Sequence, residues 1–139
     1  ADGDWIWGGC VDAIHTTIEK GRQAVMPPWV AVLGEDGVNN VAHYVLTLSG
    51  TLPAGAESAA GETQFKTICA SCHGPEGNGN PLLGAPRLND TTWLYGNELE
   101  QIKHTLRAGR NGKMPAFGEQ LGSDKIHLLT AYVYSLSAP

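Results

Sequence analysis

No stretch of the 139 residues approaches the ~18 consecutive apolar residues of a membrane-spanning helix. Basic residues are few, nine against 14 acidic, for a net charge of −5. That balance excludes the basic footprint expected of a nucleic-acid binder. Cysteine is limited to Cys10, Cys69 and Cys72, an odd number and too few for a disulfide framework. No Ser/His/Asp arrangement, phosphate-cradling loop or paired carboxylates stands out, so hydrolytic and phosphoryl chemistry have no support. The opening Ala1-Asp2-Gly3-Asp4-Trp5 lacks the basic and apolar regions of a secretory signal; a trimmed chain would read the same. Glycine is plentiful instead, 18 residues of 139, roughly twice the ~7% average, which marks a loop-rich chain. The 42% apolar content argues against disorder.

An internal repeat organises the chain. Shifted by 88 residues, its beginning matches its end without a gap, with 16 identities in the 48 positions from Asp2 to Ser49. Trp5 falls on Trp93, Ile14 on Ile102, Gly21-Arg22 on Gly109-Arg110, Met26-Pro27 on Met114-Pro115, and Tyr44-Val45 on Tyr132-Val133. The second copy is preceded by residues 59–89, and the first has no such preceding half. The chain therefore reads as the C-terminal half of one domain (1–50), a linker (51–58) rich in Gly, Pro, Ala and Ser, and one complete domain (59–139).

The periodicity predicts helices and no strands. Helices are expected over 37–48, 60–70, 97–108 and 124–136, with Gly109 stopping the third and Ser123 capping the last. Residues 78–89 read as a loop. Gly61 and Tyr132 are expected to form the close crossing of the first and last helices of the complete domain.

The chemistry sits at Cys69-Ala70-Ser71-Cys72-His73, the attachment pattern of haem c. Two thiols about one helical turn apart reach the two vinyl groups on one porphyrin edge, and the next residue offers its imidazole to the iron. A structural zinc site would want a second Cys/His pair, and a thioredoxin-like pair would want a βαβ context. Met114, in a Gly/Pro-bounded loop rather than on an apolar helix face, is the expected sixth ligand. His/Met ligation raises the potential and leaves no open position, which suits electron transfer. The Pro86 carbonyl is the expected acceptor for the other N–H of His73, against plain turn punctuation. Trp93 is read as a donor to a haem propionate or as core. Arg110 is read as a propionate partner or as a helix-end charge. His15, His43, His104 and His127 read as ordinary helix residues, and Cys10 as a free thiol.

From residue 59 onward the chain resembles class I cytochrome c domains: a helix, C-x-x-C-H, a Pro-bearing loop, Met-Pro and a final helix with Ala-Tyr-Val. The strings DGDWIWGG, NDTTWLYG, IHTTIEKGRQAVMPPW, CASCHGPEGNGN, GAPRLND and LTAYVYSLS extend the resemblance to the dihaem subunit (CcoP/FixP) of cbb3-type cytochrome c oxidases. That resemblance implies an all-α fold with two tandem haem c domains; with one attachment motif present, one covalent haem c per chain is expected. Cys69 and Cys72 would be its thioethers, with His73 proximal and Met114 distal. Met26 would be the distal ligand of a first haem, whose own attachment motif this chain lacks; a second haem needs that missing half. Arg87 stands where the family's loop more often has Asn. The implied setting is periplasmic, in a parent anchored to the inner membrane. Its partners would be a donor cytochrome c and the catalytic and monohaem subunits, with oxygen reduction in another chain. An independent periplasmic carrier, or a haem enzyme or gas sensor with a displaceable Met, are the alternatives.

Overall fold

The computed structural model describes residues 4–137. Asp2, the first matched repeat position, and the last two residues of the second domain lie outside them. In chain order the elements are α1 (Val11–Lys20), β1 (Arg22–Met26), α2 (Val30–Leu48) and α3 (Ala56–Gln64). A π-helical turn (Phe65–Cys69) then leads into α4 (Ala70–His73), followed by α5 (Leu99–Ala108), β2 (Arg110–Met114), α6 (Gly118–Leu121) and α7 (Ser123–Ser137). The mostly helical architecture agrees with the cytochrome c fold. The repeat is visible in it: α1 matches α5, β1 matches β2, and α2 matches α6 with α7. A break inside α2 at Gly34 (φ 67°) recurs at Gly122 (φ 75°) between α6 and α7, since both turns need the left-handed conformation open to glycine.

The two strands correct the expectation of none. Arg110-Asn-Gly-Lys-Met114 carries no apolar alternation, so nothing local announces a strand; the pairing is made by the other copy. β1 and β2 run antiparallel with Arg22 opposite Met114, Ala24 opposite Gly112 and Met26 opposite Arg110. Repeat partners differ by 88 and ladder partners sum to 136, so the ladder has a local two-fold axis through Ala24 and Gly112.

That axis exchanges the copies. The Gly21 Cα lies against the backbone of Met114–Ala116, and the Gly109 Cα lies against that of Met26–Pro28; a Cβ at either glycine would strike the opposing chain. The Trp29 N–H donates to the Leu106 carbonyl (2.8 Å), and the Phe117 N–H donates to Ile18 (3.0 Å). Consequently α2 packs on α5 and α3, while α7 packs on α1. One core joins Val38, Val41, Val45 and Leu46 of α2 to Phe65, Cys69, Ile102 and Leu106. A smaller one joins Ile14 and Ile18 to Ile126, with Trp5 and Phe117 against it. Arg107 of α5 also grips Glu35 of α2 through Nη2 (2.7 Å) and Nε (3.0 Å), which holds the Glu35 carboxyl below its ordinary range.

The helix crossing is therefore a correction too. Gly61 meets Asn40 and Tyr44 of α2, and the Tyr44 ring lies 5.2 Å from that of Phe65. Tyr132 is 62% exposed. Residues 51–58 separate the sequence copies but not the packing units, and α3 already begins at Ala56. Trp5, Trp7 and Trp29 of the first copy are all half-buried, so its apolar side chains are covered largely by the second.

Tyr44→Ala is expected to cost about 3 kcal/mol, the range for emptying an aromatic from a packed crossing. Tyr132→Ala is expected to stay within ~0.5 kcal/mol, as for an exposed position. Thermal melts of the two haem-loaded variants decide it; the reverse order would mean that the unexchanged crossing is the real one.

Candidate haem-attachment site

The attachment triplet sits where α3 changes pitch. The π-helical turn closes with the Ala70 N–H donating to the Phe65 carbonyl, one residue more than an α-turn, a departure that often marks functional positions. It turns Phe65 and Cys69 into the core and leaves Cys72 at the surface. All three cysteines are free thiols. Burial first, and the neighbouring Cys72 second, push the Cys69 thiol up to about 11. Gly74 (φ 78°) ends α4 immediately after His73, so the chain turns off the ring it has just placed.

His73 is 8% exposed. Its Nδ1 donates to the Pro86 carbonyl at 3.0 Å; that oxygen can only accept, which fixes the tautomer and leaves Nε2 with its lone pair. Burial pulls the imidazole below its ordinary range, and the Pro86 contact opposes this more weakly. A neutral ring is what iron ligation needs. The loop carrying Pro86 is closed on itself: the Gly79 N–H donates to the His73 carbonyl (2.8 Å), and Asn80 and Ala85 exchange backbone bonds at 2.9 and 3.1 Å. Gly79 packs directly beneath Ala85–Arg87, which leaves no room for a side chain there.

Two tests of fit for haem c come from the same core. The Trp93 indole N–H is buried with no partner, and Trp93 packs on the cluster that contains Cys69. A donor shut away from water has a use only if an acceptor such as a propionate arrives. The second test concerns a thioether. Met26 packs on that cluster, held there by the contacts of its Pro27–Trp29 continuation with Gly109 and Leu106. Met114 stands in β2, 37% exposed, its carbonyl backed onto Gly21 at the end of α1. The strand pairing seats each Met-Pro segment against the other copy, so Met114, the methionine expected beside His73, lies with α1 while Met26 lies on the Cys69 core. Arg110 turns its guanidinium to Thr105 Oγ1 (2.6 and 3.0 Å) and over the Tyr95 ring at 4.2 Å. Sequence reasoning missed Trp7 and Tyr44 as neighbours of this site.

The family model for cytochrome c oxidase, cbb3-type, subunit III matches residues 56–133. The chain belongs to that family. Similar relatives include the cbb3-type cytochrome c oxidase subunit FixP of Azorhizobium caulinodans, 40% identical over 97% of this chain and 49% of its own length. The subunit CcoP of Rubrivivax gelatinosus is 41% identical over 98% of this chain and 45% of its own. The subunit FixP of Bradyrhizobium diazoefficiens is 40% identical over 97% and 50%. The chain spans about half the length of these relatives. For a cbb3-type cytochrome c subunit, covalent haem c is the cofactor that Cys69, Cys72 and His73 fit. No helix among the described residues is long and apolar enough to cross a membrane.

In the haem-free chain, iodoacetamide near neutral pH should label Cys10 and Cys72 well before Cys69. The Cys69 rate should then climb ~tenfold per pH unit as its thiolate fraction grows toward about 11. Peptide mass spectrometry reads the three sites separately, and equal rates would mean that Cys69 is not enclosed.

Proposed function

We propose that this chain carries one electron at a time through a single haem c held by Cys69, Cys72 and His73, with Met26 of the other repeat copy as the distal ligand. The electron passes from a donor cytochrome c toward the oxygen-reducing subunit of a cbb3-type oxidase, on the periplasmic side. The observation that carries this reading is that His73 commits its Nδ1 to Pro86 and keeps Nε2 free, while a methionine, Met26, packs on the core that contains Cys69. Haem c supplies a one-electron iron couple; the chain supplies ligands, orientation and exclusion of water.

Each residue has a task that follows from its surroundings. Cys69 anchors from inside the core and Cys72 from the surface. Pro86 holds the His73 ring and raises its basicity. Trp93 Nε1 donates to a propionate. Met26 would be the second protein ligand to the iron, leaving no vacancy for a substrate, which would separate an electron carrier from an oxygen- or gas-binding site. By the repeat, Met114 and the small Ile14/Ile18/Ile126 core correspond to Met26 and the larger core. The relatives' names, subunits of cbb3-type oxidases, support an oxidase as partner; its monohaem subunit and a donor cytochrome c complete the proposed relay. The −5 net charge of residues 1–58, seven acidic against two basic, suits a basic donor surface.

Met26→Ala should abolish the far-red charge-transfer band of the oxidised protein and open the reduced protein to carbon monoxide. Met114→Ala should leave both properties as in the parent. The opposite pattern would return the distal role to Met114. Separately, the reduced chain should be oxidised by a cbb3-type oxidase stripped of this subunit, at a rate that falls with added salt. Stopped-flow absorbance follows this, and no transfer to the oxidase would leave an independent carrier as the better reading.

A further inference from the structure

Trp7 belongs to the first repeat copy, yet its indole lies against Gly84, in the segment that precedes the second copy. An added Cβ at Gly84 would collide with Cζ2, Cη2 and Cε2 of the ring. Gly84 is buried and has φ 66°, so glycine is required both by the turn and by the approach of the indole. Only Ala85 separates Gly84 from Pro86, whose carbonyl holds His73 Nδ1. The indole is itself fixed: the Arg22 guanidinium stands 4.9 Å from its centroid. Arg22 is tied in turn to α1 through Thr17 Oγ1 (2.8 Å) and the Ala13 carbonyl (3.3 Å).

The loop needs such a brace. Leu82 is 90% and Leu83 52% exposed, so the turn just before Gly84 buries little of its own. Pro86 has no N–H with which to anchor itself. Its carbonyl is kept in place by the Asn80–Ala85 backbone bonds on one flank and by the indole seated on Gly84. The equivalent aromatic of the second copy, Tyr95, also lies against its arginine, Arg110, at 4.2 Å, but it is 44% exposed. The aromatic–arginine pair is thus a feature of both copies, and in the first it is pressed onto a loop that serves an iron ligand.

We propose that Trp7 is a positioning residue for His73. By holding the 79–86 loop, the first copy keeps the Nδ1–H···O=C bond short and so helps to set the reduction potential of iron bound to the second. The inference rests on the haem c reading above. A firm bond makes the imidazole a stronger donor, which favours oxidised iron and lowers the potential. Loosening the loop should therefore raise it.

The test uses the haem-loaded chain as Trp7→Ala, Trp7→Leu and Trp7→Phe. Covalent haem content and the methionine band are checked first in the parent chain, where their absence would count against the haem reading itself; their loss in all three variants of a loaded parent would overturn a role confined to positioning. With both intact, Trp7→Ala should shift the oxidised-to-reduced ratio at fixed poise threefold to tenfold toward reduced, about 28–59 mV upward at 59 mV per tenfold. Phe should recover at least half of that shift. Amide exchange at Gly79 and Ala85 should quicken in Ala and recover in Phe. If Ala does not fold, Leu takes its place in the comparison. A parental potential in the Ala or Leu variant would overturn the proposal. So would a shift that Phe leaves unrepaired while the two amides exchange as in the parent, since that pattern reports solvent access rather than loop position.

Discussion

Five residues of each repeat copy pair about an axis through Ala24 and Gly112, and the placement of every larger element follows from that ladder. Two bare glycine Cα atoms, at Gly21 and Gly109, let the opposing Met-Pro segments come within backbone contact. Once those segments are seated, the helices that follow them have no choice of side. α2 must lie over α5 and α3, and α7 over α1. Phe65, Leu46, Val38 and Val41, fully buried at the larger junction, each contribute about 1.5–3 kcal/mol of apolar burial. The surface pair of Arg107 and Glu35 spans the same junction but adds little in water.

The exchange means that each functional compartment is assembled from both copies. The C-x-x-C-H cysteines, His73 and Pro86 come from residues 59–89 and Trp93 from the second copy, while α2 and Met26, which pack on the same core, come from the first. A chain built this way cannot lose its first copy without unroofing the site of the second. The arrangement also half-buries all three tryptophans of the first copy. Trp5 closes the small isoleucine core, Trp7 lies on Gly84, and Trp29 is hydrogen-bonded to α5 through its backbone.

At the iron ligand, the fold resolves a conflict between burial and polarity. An enclosed imidazole is costly unless both ring nitrogens are satisfied. Pro86 satisfies one, the iron of the proposed haem would satisfy the other, and burial favours the neutral ring. Trp93 presents a like case on a donor, with a buried N–H that has no partner among the described residues. Both residues point to a group that the polypeptide does not contain, and the exposed Cys72 beside the buried Cys69 supplies its covalent attachment.

Much of this was legible in the sequence because it is local. The C-x-x-C-H triplet sets thiol and imidazole spacing within one turn, whatever the rest of the chain does. The Pro86 partner of His73 was legible too, since 13 residues of Gly/Pro/Asn-rich loop can close only over a short range. The helices and their glycine stops follow from 3.6-residue periodicity and from left-handed turns. The 88-residue repeat showed which positions correspond, and the family likeness followed from strings that stand intact in the chain. What the repeat could not show is which copy packs on which. Met26 and Met114 sit in the same Met-Pro context, as Tyr44 and Tyr132 sit in the same Tyr-Val context. Identical local sequences are equally compatible with exchanged and unexchanged partners. Only the tertiary structure decides between them, because the choice is made by an antiparallel ladder between segments 88 residues apart, with no strand periodicity to announce it.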